Sequence, residues 1–273
     1  MRRLAVLLAA ALAAAGCAKG GDTGGDGPRV VAGLYPLAYV ARSVGGDRID
    51  VVDLTPSGAE PHDAALAPSA VADLERADLV LLIPGLQPEV EAAAPGGRTL
   101  AMPSDGTDPH VWLDPARLAA YATDVAARLE RIDPAGGYAA RAESFGAALL
   151  ALDGELHRGL ETCARRYVVT SHAAFGPLAK RYGLTQVGIA GIQPDADPPP
   201  GRIAEIARYV RRNGVTTVFF ETLVSPKVAE AVAREAGAAT AVLDPIESVR
   251  GADDYPAVMR RNLAALRTAL GCT

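Results

Sequence analysis

Residues 165–190, RRYVVTSHAAFGPLAKRYGLTQVGIA, read as strand, helix and strand in succession. RRYVVTS (165–171) and TQVGIA (185–190) are β-rich, and the stretch near 174–182 between them is helical. A strand returned to its neighbour through a helix is a βαβ unit, so the pair runs parallel. The pattern extends downstream through VTTVFF (215–220) and ATAVLD (239–244), interleaved with helical stretches near 201–213, 226–236 and 254–270. It also recurs upstream. RVVAG (29–33), IDVVDL (49–54), DLVLLI (78–83) and RTLAM (98–102) read as strands, and PLAYVARSVGG and PSAVADLERA as helices with Pro in the first turn. The unbroken hydrophobicity of DLVLLI suits a parallel strand covered on both faces.

Between the two series the character changes. Asp114-Pro115 reads as an N-cap followed by Pro at the first helical position, and Leu118, Tyr121, Val125, Leu129 and Ile132 keep helical spacing. Asp133-Pro134 breaks or kinks that helix, and from Tyr138 to Cys163 apolar residues again repeat at threes and fours. A helix from Pro134 to Thr162 would be about 43 Å long, enough to span two lobes. The expected class is therefore α/β. An N-terminal lobe (29–115) and a C-terminal lobe (163–273), each with a mainly parallel sheet flanked by helices, are joined by one long linking helix (116–162, kinked near 133–134). A coiled-coil arm is the alternative use of such a helix, disfavoured by the βαβ series that follows at once.

The 273 residues carry 27 Lys+Arg against 32 Asp+Glu, a formal charge of −5, with no basic run. That leaves no electrostatic footprint for nucleic acid. With 49% hydrophobic and 22% charged residues the composition is not that of a disordered chain. Arg2 and Arg3 precede an apolar run from Leu4 to Ala15, far short of a membrane span, which reads as a signal peptide over 1–16. Ala14-Ala15-Gly16-Cys17 resembles the bacterial lipoprotein box, in which the Cys is lipidated after cleavage; ordinary cleavage would leave Cys17 free. Losing Arg2 and Arg3 takes the charge to −7. The stretch 17–28 would be a Gly/Asp-rich tether with a reach on the order of 18 Å. The expected setting is extracytoplasmic, with the membrane engaged only through the N-terminal lipid. There Cys163 and Cys272 can bridge or stay apart as two thiols.

Three of the four histidines stand after strand ends. His62 follows the strand ending at Leu54, His110 lies downstream of Met102, His172 is two residues past Thr170, and Asp244 directly follows Val242-Leu243. Ligands of open parallel sheets bind outside the carboxyl ends of the strands. Three imidazoles and one carboxylate make a closed, near-tetrahedral set suited to Zn²⁺. His157 falls off the apolar seam of the long helix and reads as solvated surface. Glu60, Asp63, Asp108 and Glu221 are candidates to accept the second N–H of the metal-bound imidazoles. Glu221, at the end of VFFET, has the strongest case and could also replace Asp244 as a direct ligand. Glu60 and Asp63 read rather as solvated loop charge, and Trp112 as packing beside His110.

GAEPHDAALAPSAVADLERADLVLLIPG, DPHVWLDP, VVTSHAAFGPLAKRYGL, GIQPDADPPPGRIAEI, VFFET and LDPIES, taken in order, resemble the zinc/manganese solute-binding proteins of ABC importers (cluster A-I), nearest the ZnuA-like zinc type. The resemblance spans nearly the whole mature chain. It implies two lobes on a rigid linking helix, with a metal between them on His62, His110, His172 and Asp244. It also implies an ABC permease as partner. Many zinc-type members carry a His-rich loop between the first two ligands, whereas residues 63–109 contain no His. Manganese-type members tend to replace the third His with Glu, and His172 argues against that version. The expected function is a monomeric, extracytoplasmic Zn²⁺ receptor, with a Mn²⁺ receptor second and no enzymatic activity. A secreted zinc hydrolase and a metal-binding surface adhesin are the readings from other classes.

Overall fold

The computed structural model describes residues 27–273 apart from 56, 63, 64, 105, 107, 194–197, 224, 250 and 252. The signal segment, Cys17, the tether up to residue 26 and Asp63 lie outside the described residues. Strands β1 (Arg29–Ala32), β2 (Asp50–Asp53), β3 (Leu79–Leu82) and β4 (Thr99–Ala101) form an all-parallel sheet in the order β2-β1-β3-β4. Strands β5 (Tyr167–Thr170), β6 (Thr185–Gly188), β7 (Thr217–Phe220) and β8 (Ala239–Val242) repeat that arrangement as β6-β5-β7-β8. All eight strands fall within the runs read from sequence. The LVLL of β3 is buried at every position, as a strand covered on both faces requires.

Helices α1 (Tyr35–Gly45), α2 (Pro68–Arg76) and the short α3 (Pro88–Ala93) accompany the first sheet. Helices α6 (Gly176–Arg181), α7 (Pro200–Arg212), α8 (Lys227–Ala236) and α9 (Tyr255–Leu270) accompany the second. Pro stands in the first turn of α1, α2, α3, α6, α7 and α9, where its missing N–H costs nothing.

The connection between the sheets differs from the sequence expectation. It is a pair of helices, α4 (Pro115–Ile132) and α5 (Tyr138–Leu160), packed side by side as a hairpin. The expected kink at 133–134 is a full reversal. Pro134 cannot continue the ladder, the Asp133 carboxylate accepts from Ala135 N–H and the Tyr138 hydroxyl, and Gly137 takes φ +65°, open at low cost only to glycine. At 23 residues α5 is about 34 Å long, shorter than the 43 Å read from the periodicity. It is tied to both halves. Arg141 Nε donates to Val44 O in α1 (2.6 Å), and Arg181 makes a two-bonded pair with buried Asp153 (2.9 and 2.6 Å).

One continuous apolar core runs across the seam, joining α1, α4, α5 and α9. Tyr39 of α1 stacks on Tyr255 of α9 with ring centroids 6.0 Å apart. Trp112, fully buried, donates its indole N–H to Pro245 O (2.7 Å) and accepts from the Tyr255 hydroxyl at its own carbonyl (2.6 Å). The far end of the second half is closed by a Cys163–Cys272 disulfide, which joins a residue three past α5's end to one two past the end of α9. Among the described residues no helix is long and apolar enough to cross a membrane.

Candidate metal centre

Both sheets aim their carboxyl edges at the seam, and the loops leaving those edges meet there. After β2 the chain is pinned early. Asp53 Oδ1 accepts from Thr55 N–H (3.1 Å), and the Thr55 hydroxyl donates to Gly33 O (2.7 Å). Burial drives the Asp53 carboxyl up to about 6 despite that N–H. The loop then crosses to the other lobe, where Ser57 Oγ donates to Val249 O (2.5 Å) and Gly58 N–H to Ser248 Oγ (3.0 Å). His62 follows, its backbone N–H held by Glu60 Oε1 at 3.1 Å.

After β4, Asp108 Oδ1 accepts twice from His110, at the backbone N–H (3.0 Å) and at Nδ1 (2.9 Å). A single 3₁₀ turn, Val111–Leu113, leads into α4, capped by Asp114 on Ala116 N–H. Trp112 lies against His110 with ring centroids 5.2 Å apart. After β5, His172 Nδ1 meets Glu221 Oε1 at 2.5 Å, and the same oxygen accepts the Ser171 hydroxyl at 2.6 Å. Gln186 Nε2 donates to Thr170 Oγ1 and to His172 O, fixing the backbone there.

These loops bring His62, His110 and His172 together with Glu247, five residues past the end of β8. His110 Nε2 stands 3.2 Å from His62 Nε2 and 3.4 Å from His172 Nε2. Glu247 Oε1 stands 3.3, 3.4 and 4.0 Å from the Nε2 atoms of His62, His110 and His172. A tetrahedral Zn²⁺ with bonds of roughly 2.0–2.1 Å needs ligand atoms about 3.3 Å apart. The measured edges match within a few tenths of an ångström, apart from the one at 4.0 Å. None of the four side chains has any solvent exposure. Both Glu247 carboxylate oxygens are buried without a hydrogen-bond partner among the described residues. An ionised carboxylate so placed is costly unless a cation faces it. The donor set and the orphaned oxygens fit a closed divalent-metal site.

In the metal-free cluster the charges are shared. Burial opposes charge on His110, but the carboxylates of Asp108 and Glu247 outweigh it and hold the imidazole at about 9. Burial likewise opposes ionisation of Glu247, and the facing His110 and His62 overcome it and hold the acid low, at about 2. The resting arrangement is an imidazolium against a carboxylate.

Asp244, expected to be the fourth member, does not join the cluster. Its Oδ1 accepts from Ile246 N–H (2.8 Å) and its Oδ2 from the Thr222 hydroxyl (3.2 Å), which turns the carboxylate away from the imidazoles. Burial, reinforced by nearby Glu247, pushes its carboxyl pKa above the usual range despite those bonds. Glu221 sits behind His172 on Nδ1, on the side of the ring opposite the cluster. Glu60 reaches His62 only through the backbone N–H in the contact described above. Exposed His157 packs edge-on against Tyr182 at 4.9 Å.

Fold and site together define a two-lobed protein with a buried group of three imidazoles and one carboxylate, between its lobes, that could hold a metal ion. Residues 30–269 match the ZnuA family, zinc-uptake complex component A periplasmic, and the chain belongs to that family. The zinc-binding lipoprotein AdcA of Streptococcus pneumoniae serotype 4 is 31% identical over 98% of this chain. The chain spans 61% of that relative's length. The high-affinity zinc uptake system protein ZnuA of Bacillus subtilis is 29% identical over 97% of the chain and 94% of its own length. Among solved structures, the laminin-binding protein Lmb of Streptococcus agalactiae, described as a bifunctional protein with adhesin and metal transporting activity, superimposes with a TM-score of 0.81. It has 31% identity and covers 89% of this chain and 100% of that one. AdcAII of Streptococcus pneumoniae superimposes with a TM-score of 0.78 at 28% identity, over 90% of this chain and 100% of its own.

Proposed function

We propose that this chain is an extracytoplasmic receptor that binds Zn²⁺ between its lobes and delivers it to an ABC permease. The observation that carries the reading is the buried His62-His110-His172-Glu247 cluster, with the five separations given above at 3.2–4.0 Å and side chains drawn from the loops of both sheets. Three nitrogens and one oxygen at that spacing favour Zn²⁺ over Mn²⁺, which prefers oxygen-rich, octahedral surroundings. The names of the AdcA and ZnuA relatives support the same ion and an uptake role. Lobes 29–115 and 163–273 would act as two jaws on the segment 116–162. The core that crosses the seam would keep their opening small, so release would follow a modest rearrangement when the permease docks.

Catalytic zinc sites keep a position open for water. Four buried ligands leave none, which weighs against a hydrolase. Lipidation of Cys17 would hold a monomer at the outer face of the membrane. An adhesin role rests on the description of the Lmb neighbour and would register as laminin binding by the purified chain.

The reading is tested by metal analysis and by competition against a chelator of known affinity. One Zn²⁺ per chain is expected, and His110→Ala should weaken binding at least tenfold, about 1.4 kcal/mol. Unchanged affinity in that variant would remove the cluster as the binding site. Growth of a deletion strain that is indifferent to chelation would remove the uptake role.

A further inference from the structure

Glu247 reaches the cluster from an unusual piece of backbone. Ile246, fully buried, has φ +60°, and it is the only residue other than glycine with positive φ among those described. A β-branched side chain in that region is strained and persists only where its surroundings over-determine it. The surroundings are identifiable. Asn262 of α9 clamps Asp244 from both sides, its Oδ1 accepting from Asp244 N–H (2.9 Å) and its Nδ2 donating to Asp244 O (2.7 Å). The Asp244 carboxylate then bonds Ile246 N–H and the Thr222 hydroxyl, bending the chain over the strained residue. From the other lobe Trp112 holds Pro245 O, and Ser57 and Gly58 hold the far side at Val249 and Ser248. The Glu247 carboxylate has no hydrogen bond of its own to orient it.

We infer that Asp244 is a positioning residue. By closing the 244–247 turn over Ile246, it sets where the Glu247 carboxylate stands relative to the three imidazoles, without touching the metal. The inference rests on the proposal that the cluster binds zinc. It assigns a role to a carboxylate whose place after β8 resembles that of a ligand.

The test is a double-mutant cycle on zinc affinity, measured by chelator competition on the full mature chain, with metal-free thermal melts alongside. Asp244→Ala should weaken zinc binding roughly ten- to a hundredfold, the range typical of residues that support a metal ligand. In a Glu247→Gln background the same change should cost less than about threefold, because its effect passes through Glu247. Asp244→Asn keeps an oxygen for Ile246 N–H and should rescue affinity to within about threefold of wild type, which loss of a direct anionic ligand would not allow. Should Asp244→Ala not fold, Asp244→Ser, too short to reach both partners, takes its place in the cycle. Equal losses in both backgrounds, no loss in either, or failure of Asp244→Asn to rescue would overturn the role. A wild-type chain that binds no zinc would overturn the reading of the site and this role together. Wild-type binding with an unresponsive Asp244 would overturn the role alone.

Discussion

The two sheets share one strand order, yet they hold their proposed ligands differently. In the first half, His62 and His110 stand on loops about nine residues past the ends of β2 and β4. In the second, His172 is two residues past β5 and Glu247 five past β8, each braced from behind. The brace on His172 is buried Glu221, itself held by the Ser171 hydroxyl, and the one on Glu247 is the strained turn. His110 has a comparable partner in Asp108, whereas His62 Nδ1 is buried with no partner among the described residues. Three of the four proposed ligands are thus oriented by groups behind them. His62 is placed by its backbone, through Glu60 and the Ser57 and Gly58 bonds across the seam.

This contrast can be broken most sharply at Glu221. Glu221→Gln removes the anionic acceptor behind His172 and should weaken zinc binding ten- to a hundredfold. Glu60→Gln, which leaves an acceptor for His62 N–H, should cost less than about threefold. Equal losses in the two variants, seen by chelator competition, would erase the distinction between the braced and the backbone-placed ligands.

Acidity sharpens it next. His110 is raised to about 9 in the metal-free chain, so zinc must expel its proton at neutral pH. Affinity should climb about tenfold per pH unit for that one proton up to about 9, and fall toward acid. The metal-free fold should respond in the opposite direction. Stability from the charged imidazole is complete below its unfolded value near 6.5 and is lost as pH rises through about 9. Titrations and melts between pH 6 and 10 check both slopes, and Asp108→Asn should flatten them.

The smallest effect on the site should come from the far end of the C-terminal lobe. Cys272→Ser opens a bridge spanning 109 residues of chain and should destabilise the fold by about 2–4 kcal/mol. Zinc affinity should stay within threefold, since the bridge closes the end of the lobe away from the ligand loops. Denaturant melts with a parallel zinc titration separate the two readouts.

What the residues disclosed follows the same physics. The parallel sheets were legible because DLVLLI, RRYVVTS and their counterparts are short β-rich runs that alternate with helical stretches, the pattern of parallel strands joined by crossover helices. The histidines were legible because strand ends mark ligand positions in such sheets. The hairpin at 133–137 was harder to read. Pro134-Ala135-Gly136-Gly137 permits both a kink and a reversal, and the choice is made by α4 packing against α5. Short α3 lacked the length for a periodic signal. Glu247 was hidden by Ile246: no propensity predicts a β-branched residue at φ +60°, and without that turn Asp244 is the carboxylate nearest the strand end. Its sequence signal was a second acid three residues on, in DPIES.

The most direct test of the central claim is a crystal structure of the zinc-loaded chain with anomalous scattering recorded at the zinc edge. A single anomalous peak is expected, bonded to the Nε2 atoms of His62, His110 and His172 and to one oxygen of Glu247, with Asp244 still on Ile246 N–H. A peak bonded to Asp244 or Glu221 in place of Glu247, or lying away from the three imidazoles, would contradict it.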